Sequence, residues 1–520
     1  MNAIDFFDRG WSLGAVAPFL IDSETREALT YDDTRRRTLR IANRMLAGGY
    51  GPGVNAAVIS YNDVAAYTVV LSITRTGATW IPINPRNTIL ENARILDAFD
   101  CEILFIQASF SEHVAAIRQV APRIREIICI DGEIADTPSL DAWIEGTSED
   151  EIYLSHDPDR LFAVQPTGGT TGAPKGVCLP NKALENIVAN MAAVQPPRGR
   201  PVFLAVAPLT HAAGMVAQSL LPFGASIVVM SHVDKTAILR AIPQFGITHT
   251  FLPPTVIYEL LAHPEARTTD YSSLQAFVYG ASPMAPQKLR LALEVFGPVM
   301  CQVYGQTETS FPATFLSPDD HFQSDGQIAS EKRLASCGRP SPFSKVRIVR
   351  DDGVAAAVGE VGEICVSGLG LMSGYYKNPD ATAETLRDGW VHTGDIGYCD
   401  EEGFFYITDR RKDMIITGGF NVYSVEVERT LLSHPDVLEC AVIGLPDPKW
   451  GETVTAFVQF RDGRSPDVDE IIAFCKGQIG SVQSPKKIIP VTSLPKSAVG
   501  KVLKRELRQQ YWGNSSRMVS

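Results

Sequence analysis

Nine cysteines are scattered singly along this 520-residue chain, and no two are spaced as Cys-x-x-Cys. An odd, dispersed set excludes a disulfide framework and a zinc ribbon and reads as reduced thiols. A run of roughly 18 or more apolar residues is also missing, so no membrane span is expected. The start, Met1-Asn2-Ala3-Ile4-Asp5, lacks the basic-then-apolar pattern of a secretory leader. Cytoplasmic location is therefore the default expectation. Positive charge is in deficit: 47 Lys and Arg stand against 59 Asp and Glu, a net charge of −12. That argues against nucleic acid or an anionic membrane as the main partner, because both reward basic surfaces.

Glycine and threonine are concentrated at one place. Pro166-Thr167-Gly168-Gly169-Thr170-Thr171-Gly172-Ala173-Pro174-Lys175-Gly176 holds four glycines, three threonines and one lysine. Apolar Leu161 to Val164 before it and Val177 to Leu179 after it read as strands. Glycines let backbone N–H groups converge, threonine hydroxyls add donors, and Lys175 adds charge, which suits a polyphosphate. The usual P-loop has Gly-Lys-Ser/Thr opening a helix. Here the lysine precedes a strand, so the dipole of a helix N-terminus is not available to the phosphates. An ordinary Gly/Thr turn is the plain alternative for such a string taken alone.

A second string, Tyr304-Gly305-Gln306-Thr307-Glu308, follows the apolar Val303. A tyrosine ring can stack on adenine, Thr307 can donate to a phosphate, and Glu308 can ligate magnesium through oxygen. Thr393-Gly394-Asp395 offers a carboxylate able to accept from two vicinal hydroxyls, as on ribose. In order and form these strings resemble the adenylate-forming superfamily: acyl-CoA synthetases, firefly luciferases and peptide-synthetase adenylation domains. Gly168 stands where many members have serine. The resemblance covers nearly the whole chain.

The resemblance implies roles residue by residue. Thr167, Gly168, Gly169, Thr170, Thr171, Gly172 and Lys175 would hold the phosphates of ATP. Gly280, Ala281 and Ser282 would receive adenine and the carboxylate end of the substrate, and Tyr304, Gly305, Gln306 and Thr307 would complete the nucleotide site. Glu308 would carry Mg2+, and Asp395 and Arg410 would hold ribose. His211, in Pro208-Leu209-Thr210-His211-Ala212-Ala213-Gly214, would stand at the acyl pocket beside the thiol's route, with Met215, Phe251 and Gly280 lining the pocket. Lys412 would be the hinge, Gly418 and Gly419 would line the pantetheine tunnel of CoA, and Lys501 would enter the site during adenylation.

Along the chain, helical stretches alternate with short apolar runs such as Ala56 to Ser60 and Glu102 to Ile106, the pattern of a parallel sheet covered by helices. A helix is expected from Tyr31, capped by Asp33 or Thr34, and Arg35-Arg36-Arg37 reads as its solvated face. The expected fold is α/β: a large N-terminal domain of helix-covered parallel sheets plus a β-rich subdomain (1–409), a hinge (410–413) and a small α/β C-terminal domain (414–520). The Arg/Lys-rich tail after Lys501 reads as mobile.

The implied activity is an acid–CoA ligase that forms acyl-AMP from a carboxylic acid and ATP and passes the acyl group to CoA. The pocket segments Met215 to Ser219, Phe251 to Thr255 and Tyr279 to Met284 lack Arg, Lys and Asp. This disfavours dicarboxylates and amino acids and leaves a hydrophobic monocarboxylate, fatty or aryl. The rivals are a stand-alone adenylation enzyme loading a carrier protein and a non-catalytic nucleotide-binding regulator. Either a monomer or a homodimer is compatible with the sequence.

Overall fold

The computed structural model describes residues 1–167, 174–461, 463–464, 466–496 and 502–512. Two large sheets dominate. In the seven-stranded sheet, the strands Asn55–Ile59, Thr79–Pro82, Cys101–Ile106, Glu126–Cys129 and Leu161–Thr167 run parallel. The Gly/Thr-rich segment leads from Leu161–Thr167 into an antiparallel return strand, Lys175–Pro180. The nine-stranded sheet sets Val202–Ala205, His249–Leu252, Ala276–Tyr279 and Met300–Gln306 side by side in parallel. Both are fed by continuous apolar runs, as expected of strands buried on two faces.

The helix Val64–Thr76 is buried along almost its whole length, and its buried hydroxyls on Thr68, Ser72, Thr74 and Thr76 donate back to the helix's own carbonyls. It ends on an ion: Arg75, 2% exposed, is held by both oxygens of Asp8 at 2.9 and 2.7 Å and by Thr38 Oγ1 at 3.1 Å. A buried guanidinium is tolerable only when paired in this way. The helix Tyr31–Ala47 is capped by Thr30, whose hydroxyl accepts from Asp33 N. Asp33 instead fills the third helical position and accepts from Thr30 N, so the pair forms a capping box and the cap lies three residues before Asp33. Arg35 and Arg37 are ion-paired to Glu151 and Asp141, in keeping with a structural helix face.

A third, five-stranded sheet carries Gly362–Gly368, Trp390–Cys399 and Phe405–Arg410. After the turn 411–413, a fourth sheet is built on Ile415–Thr417, Val437–Asp447 and Gly451–Phe460, and the helices Ser424–Leu432 and Val468–Gln483 pack with its core. The fold is thus α/β, with a large N-terminal domain and a small C-terminal one.

The tail differs from the expectation. Lys504–Trp512 is a helix, and its basic residues are engaged. Lys504 Nζ lies 2.7 Å from Glu428 Oε1 and donates to Ser424 Oγ at 2.6 Å, and Arg508 donates to Asp413 Oδ1 at 2.7 Å. Ser424 in turn donates from N and Oγ to the buried Asp409. Burial alone would lower the Lys504 pKa, but Glu428, Asp409 and Asp413 outweigh it and raise it. The charges that looked like a solvated tail neutralise carboxylates on either side of the 411–413 turn.

Candidate active site

The carboxyl ends of parallel strands are where an α/β sheet leaves a crevice, and the candidate residues collect there. The strand Met300–Gln306 ends in the turn Thr307–Thr309 and carries two side chains onto one acceptor. Tyr304 Oη donates to Asp395 Oδ2 at 2.9 Å, and Gln306 Nε2 donates to the same oxygen at 2.7 Å. Arg410, opposite Asp395 in the ladder of Trp390–Cys399 with Phe405–Arg410, brings Nε to 3.2 Å from Oδ1. Asp395 is only 4% exposed. Burial, then the Asp395 charge, pushes the Tyr304 hydroxyl well above its usual range, so it stays a donor. Tyr304 itself is 9% exposed and packs with Ala313, Ile364 and Phe405. Its ring belongs to the interior, and its visible work is to orient Asp395.

At the other end of the same segment, Glu308 is half-buried and its Oε1 accepts from Tyr375 Oη at 2.8 Å, its one side-chain partner among the described residues. Lys175 Nζ lies 5.1 Å above the Tyr375 ring. Tyr375 reaches this place because Gly374–Tyr375 pairs with Lys175–Pro180 as an added antiparallel strand. Thr167 faces Lys175 across the hairpin, and its Oγ1 donates to Lys175 O at 3.3 Å. The structure therefore forms two groups at the two ends of one short segment: Tyr304, Gln306 and Arg410 on Asp395, and Thr167, Lys175 and Tyr375 beside Glu308, with Gly305 and Thr307 in the segment between. Gly168, Gly169, Thr170, Thr171, Gly172 and Lys501 lie outside the described residues.

His211 precedes the helix Ala212–Leu220. The spacing of His211 to Gly214 has a steric cause: a Cβ on Gly214 would fall 1.8 Å from Leu209 O, so only glycine lets the helix start against that carbonyl. Burial lowers the His211 pKa to about 4, leaving the ring neutral near pH 7, and its Nδ1 is 2.9 Å from Thr210 Oγ1. Met215 and Phe251 are buried. Gly280 follows the strand Ala276–Tyr279, Ala281 adopts a left-handed φ of +66°, and Ser282 is half-buried.

These parts constitute a buried carboxylate held by three side chains, a second carboxylate with one oxygen unpartnered among the described residues, a lysine at the start of a strand, and buried apolar side chains beside them. The matches to known proteins agree with that combination. The AMP-binding enzyme family matches residues 12–376, and the AMP-binding enzyme C-terminal domain matches residues 426–501. The chain belongs to the AMP-binding enzyme family. Among curated members of this family it is 35% identical to the medium/long-chain-fatty-acid–CoA ligase FadD8 of Mycobacterium tuberculosis, over 95% of this chain and 89% of that protein. It is equally 35% identical to a feruloyl-CoA synthase of Amycolatopsis sp, over 93% of this chain and 94% of the other. Among solved structures, the amide bond synthetase McbA from Marinactinospora thermotolerans superposes with a TM-score of 0.88 at 30% identity, covering 98% and 100% of the two chains.

Within this family member, three features were not assigned to the site from sequence. Tyr375 sits in a Gly-Tyr-Tyr string that reads as purely structural. Glu363 lies in a Gly-Glu-Ile string of the same kind, yet its Oε1 accepts from Gly394 N at 2.9 Å and its Oε2 lies 3.0 Å from His392 Nδ1. It thereby fixes the turn that presents Asp395. Glu363, Cys365 and His392 also cluster as metal-ligand types, but Arg411, 3.6 Å from Glu363, already supplies a cation. The third feature is the Lys504 and Arg508 cluster described above. Gly418 and Gly419 have a local reason for being glycine. They form the two-residue turn between Ile415–Thr417 and Phe420–Val422 with φ of +56° and +81°, a geometry that strongly favours glycine at both positions. Lys412 is exposed in the 411–413 turn.

Proposed function

We propose that this protein is an ATP-dependent acid–CoA ligase acting on a hydrophobic monocarboxylic acid, fatty or aryl. The observation that carries the reading is the pair of groups that the segment 304–308 holds at its ends: Asp395 with Tyr304 and Gln306, and Glu308 with Tyr375 and Lys175. Asp395, pre-oriented and buried, accepts the ribose hydroxyls beside Arg410. Lys175, Thr167 and the glycine-rich segment receive the phosphates. Gly280, Ala281, Ser282, Tyr304, Gly305 and Thr307 frame adenine and the α-phosphate. Glu308 suits Mg2+ because its carboxylate is an oxygen donor of the type that ion takes and one oxygen is left without a protein donor among the described residues. When bound, the ion offsets phosphate charge.

In the first step an acid carboxylate oxygen bonds to the α-phosphorus of ATP and the bond to pyrophosphate breaks. The protein contributes positioning and charge neutralisation, with Lys501 supplying the cation. In the second step the sulfur of CoA bonds to the acyl carbon, the thiol gives up its proton, and AMP leaves. His211, neutral, stands at the thiol's approach, and the Gly418–Gly419 turn borders it. The domain division 1–409, hinge 410–413 about Lys412, and 414–520 supplies the alternation between the two steps. Met215, Phe251 and Gly280 give an apolar acid pocket, which supports a monocarboxylate without a second charge.

The test incubates the purified protein with Mg·ATP and short to long fatty acids, benzoates and cinnamates, with and without CoA, and follows AMP and thioester by mass. CoA-dependent thioester with one acid class is expected. Acid-dependent AMP without thioester would transfer the reading to another acceptor, such as a carrier protein or an amine. No acid-dependent AMP with any acid would contradict it.

A further inference from the structure

The sheet face proposed to floor the acid pocket continues beyond the residues that the mechanism uses. His249 and Phe251 lie on one face of the strand His249–Leu252, two residues apart. On the neighbouring parallel strand, Ala276 pairs with His249 and Val278 pairs with Phe251, and the next position in that row is Gly280. One sheet face thus runs from Gly280 down to His249, a distance of ~13 Å for four residues at ~3.3 Å each. The helix Ala212–Leu220 covers it. A narrow cavity remains under the helix, lined by Met191, Val216, Ser219, Leu220, His249 and Val278.

His249 is the one titratable side chain in that lining, and it is 2% exposed. Its Nδ1 lies 2.7 Å from Thr248 Oγ1, but its Nε2 has no hydrogen-bond partner among the described residues. A buried polar atom left in this way is costly, and native interiors pair nearly all of them. Burial lowers the imidazole pKa to about 4, so the ring is neutral near pH 7. A neutral ring presents at Nε2 either a proton or a lone pair, depending on the tautomer, and a hydroxyl satisfies both because it donates and accepts.

We propose that His249 is a specificity-determining residue: its Nε2 ends the acid pocket and selects a carboxylic acid bearing a hydroxyl at the end remote from the carboxylate. The inference rests on the ligase reading and narrows it. It applies to an alkyl or an aryl skeleton, since the recognising group is the hydroxyl.

The test compares matched pairs on the full-length protein, decanoate with 10-hydroxydecanoate and cinnamate with 4-hydroxycinnamate. Acid-dependent pyrophosphate release gives kcat/KM, and calorimetry gives binding independently of turnover. The hydroxylated member of at least one pair should be preferred about tenfold or more. His249→Leu should erase that ratio, and His249→Gln should keep part of it. Because both acids of a pair meet the same variant, a general loss of fold cancels in the ratio, and the wild-type ratio stands without any variant. Pyrophosphate release with no hydroxyl preference in the wild type, or a preference that survives His249→Leu, overturns the proposal and leaves the ligase reading intact. Hydroxyl-dependent binding that His249→Leu abolishes, without any pyrophosphate release, upholds His249 and overturns the ligase reading.

Discussion

The two ends of the candidate site are built in opposite ways. At the proposed nucleotide end, one buried carboxylate takes a tyrosine, a glutamine and an arginine, and a second takes another tyrosine. Both Asp395 oxygens are held by side chains, and Glu308 is held at one oxygen. At the proposed acid end stand the buried Met215, Phe251 and Val278, and an imidazole nitrogen of His249 lacks a protein partner among the described residues. Dense cross-bonding fixes one orientation and tolerates little change, which suits a step common to a whole family. An apolar pocket with one polar atom is easily re-shaped, which suits a step that differs between members. What the site does is therefore written at one end, and what it does it to at the other.

A direct way to break this comparison is to damage a polar network and find no effect. The cluster across the 411–413 turn is the severest case. Lys504→Met leaves Glu428 and Asp409 buried without their cation, so stability should fall by about 3–5 kcal/mol, read by denaturant or thermal unfolding. Unchanged unfolding would show that cross-bonding there is incidental. Next comes Lys501→Ala, expected to slow acyl-AMP formation by about 10²–10³ while leaving ATP binding in place; single-turnover pyrophosphate release measures it.

Tyr375→Phe is milder. It removes one hydrogen bond to Glu308 and keeps the ring beneath Lys175. Activation should drop roughly tenfold, in line with a bond to a charged group. A loss as large as that of Lys501→Ala would place Tyr375 in direct contact with substrate.

The smallest effect concerns pH. Burial lowers His249 and His321 to about 4. An unfolded histidine titrates near 6.5. Between those values the unfolded chain binds protons that the folded one does not, so stability falls as pH drops from about 7 toward 4 and levels off below. The loss should be on the order of 1 kcal/mol per buried histidine by pH 6. A melting temperature that rises on acidification across this window would contradict the burial of both rings.

The same contrast decides what could be read from sequence. Tyr304 to Glu308 and Asp395 stand out because their chemistry depends on short, ordered strings, and the structure joins them. The strands came from continuous apolar runs, and most bounds agree within a few residues. Tyr375 and Glu363 lay in strings that look like turns, because the hydrogen-bond partners that give them a task are 67 and 31 residues away in the chain. Lys504 and Arg508 looked like a solvated tail for the same reason, since their carboxylate partners, Glu428 and Asp413, precede them by more than 70 residues. The Thr30 cap was displaced to Asp33 because both residues of a capping box are good caps, and only backbone geometry separates them. His249 lies in the string Ile247 to Pro254, which resembles the family's pocket-wall strand, but nothing in the string singles out the histidine. Its significance arises from a cavity that exists only once the helix Ala212–Leu220 packs on the sheet.

The measurement that bears most directly on the central claim is acid-dependent exchange of labelled pyrophosphate into ATP by the purified protein, without CoA. The account predicts exchange with hydrophobic monocarboxylates, abolished by Asp395→Ala and independent of CoA. Exchange with no carboxylate in the panel, or ATP consumed to ADP in place of AMP, would contradict it.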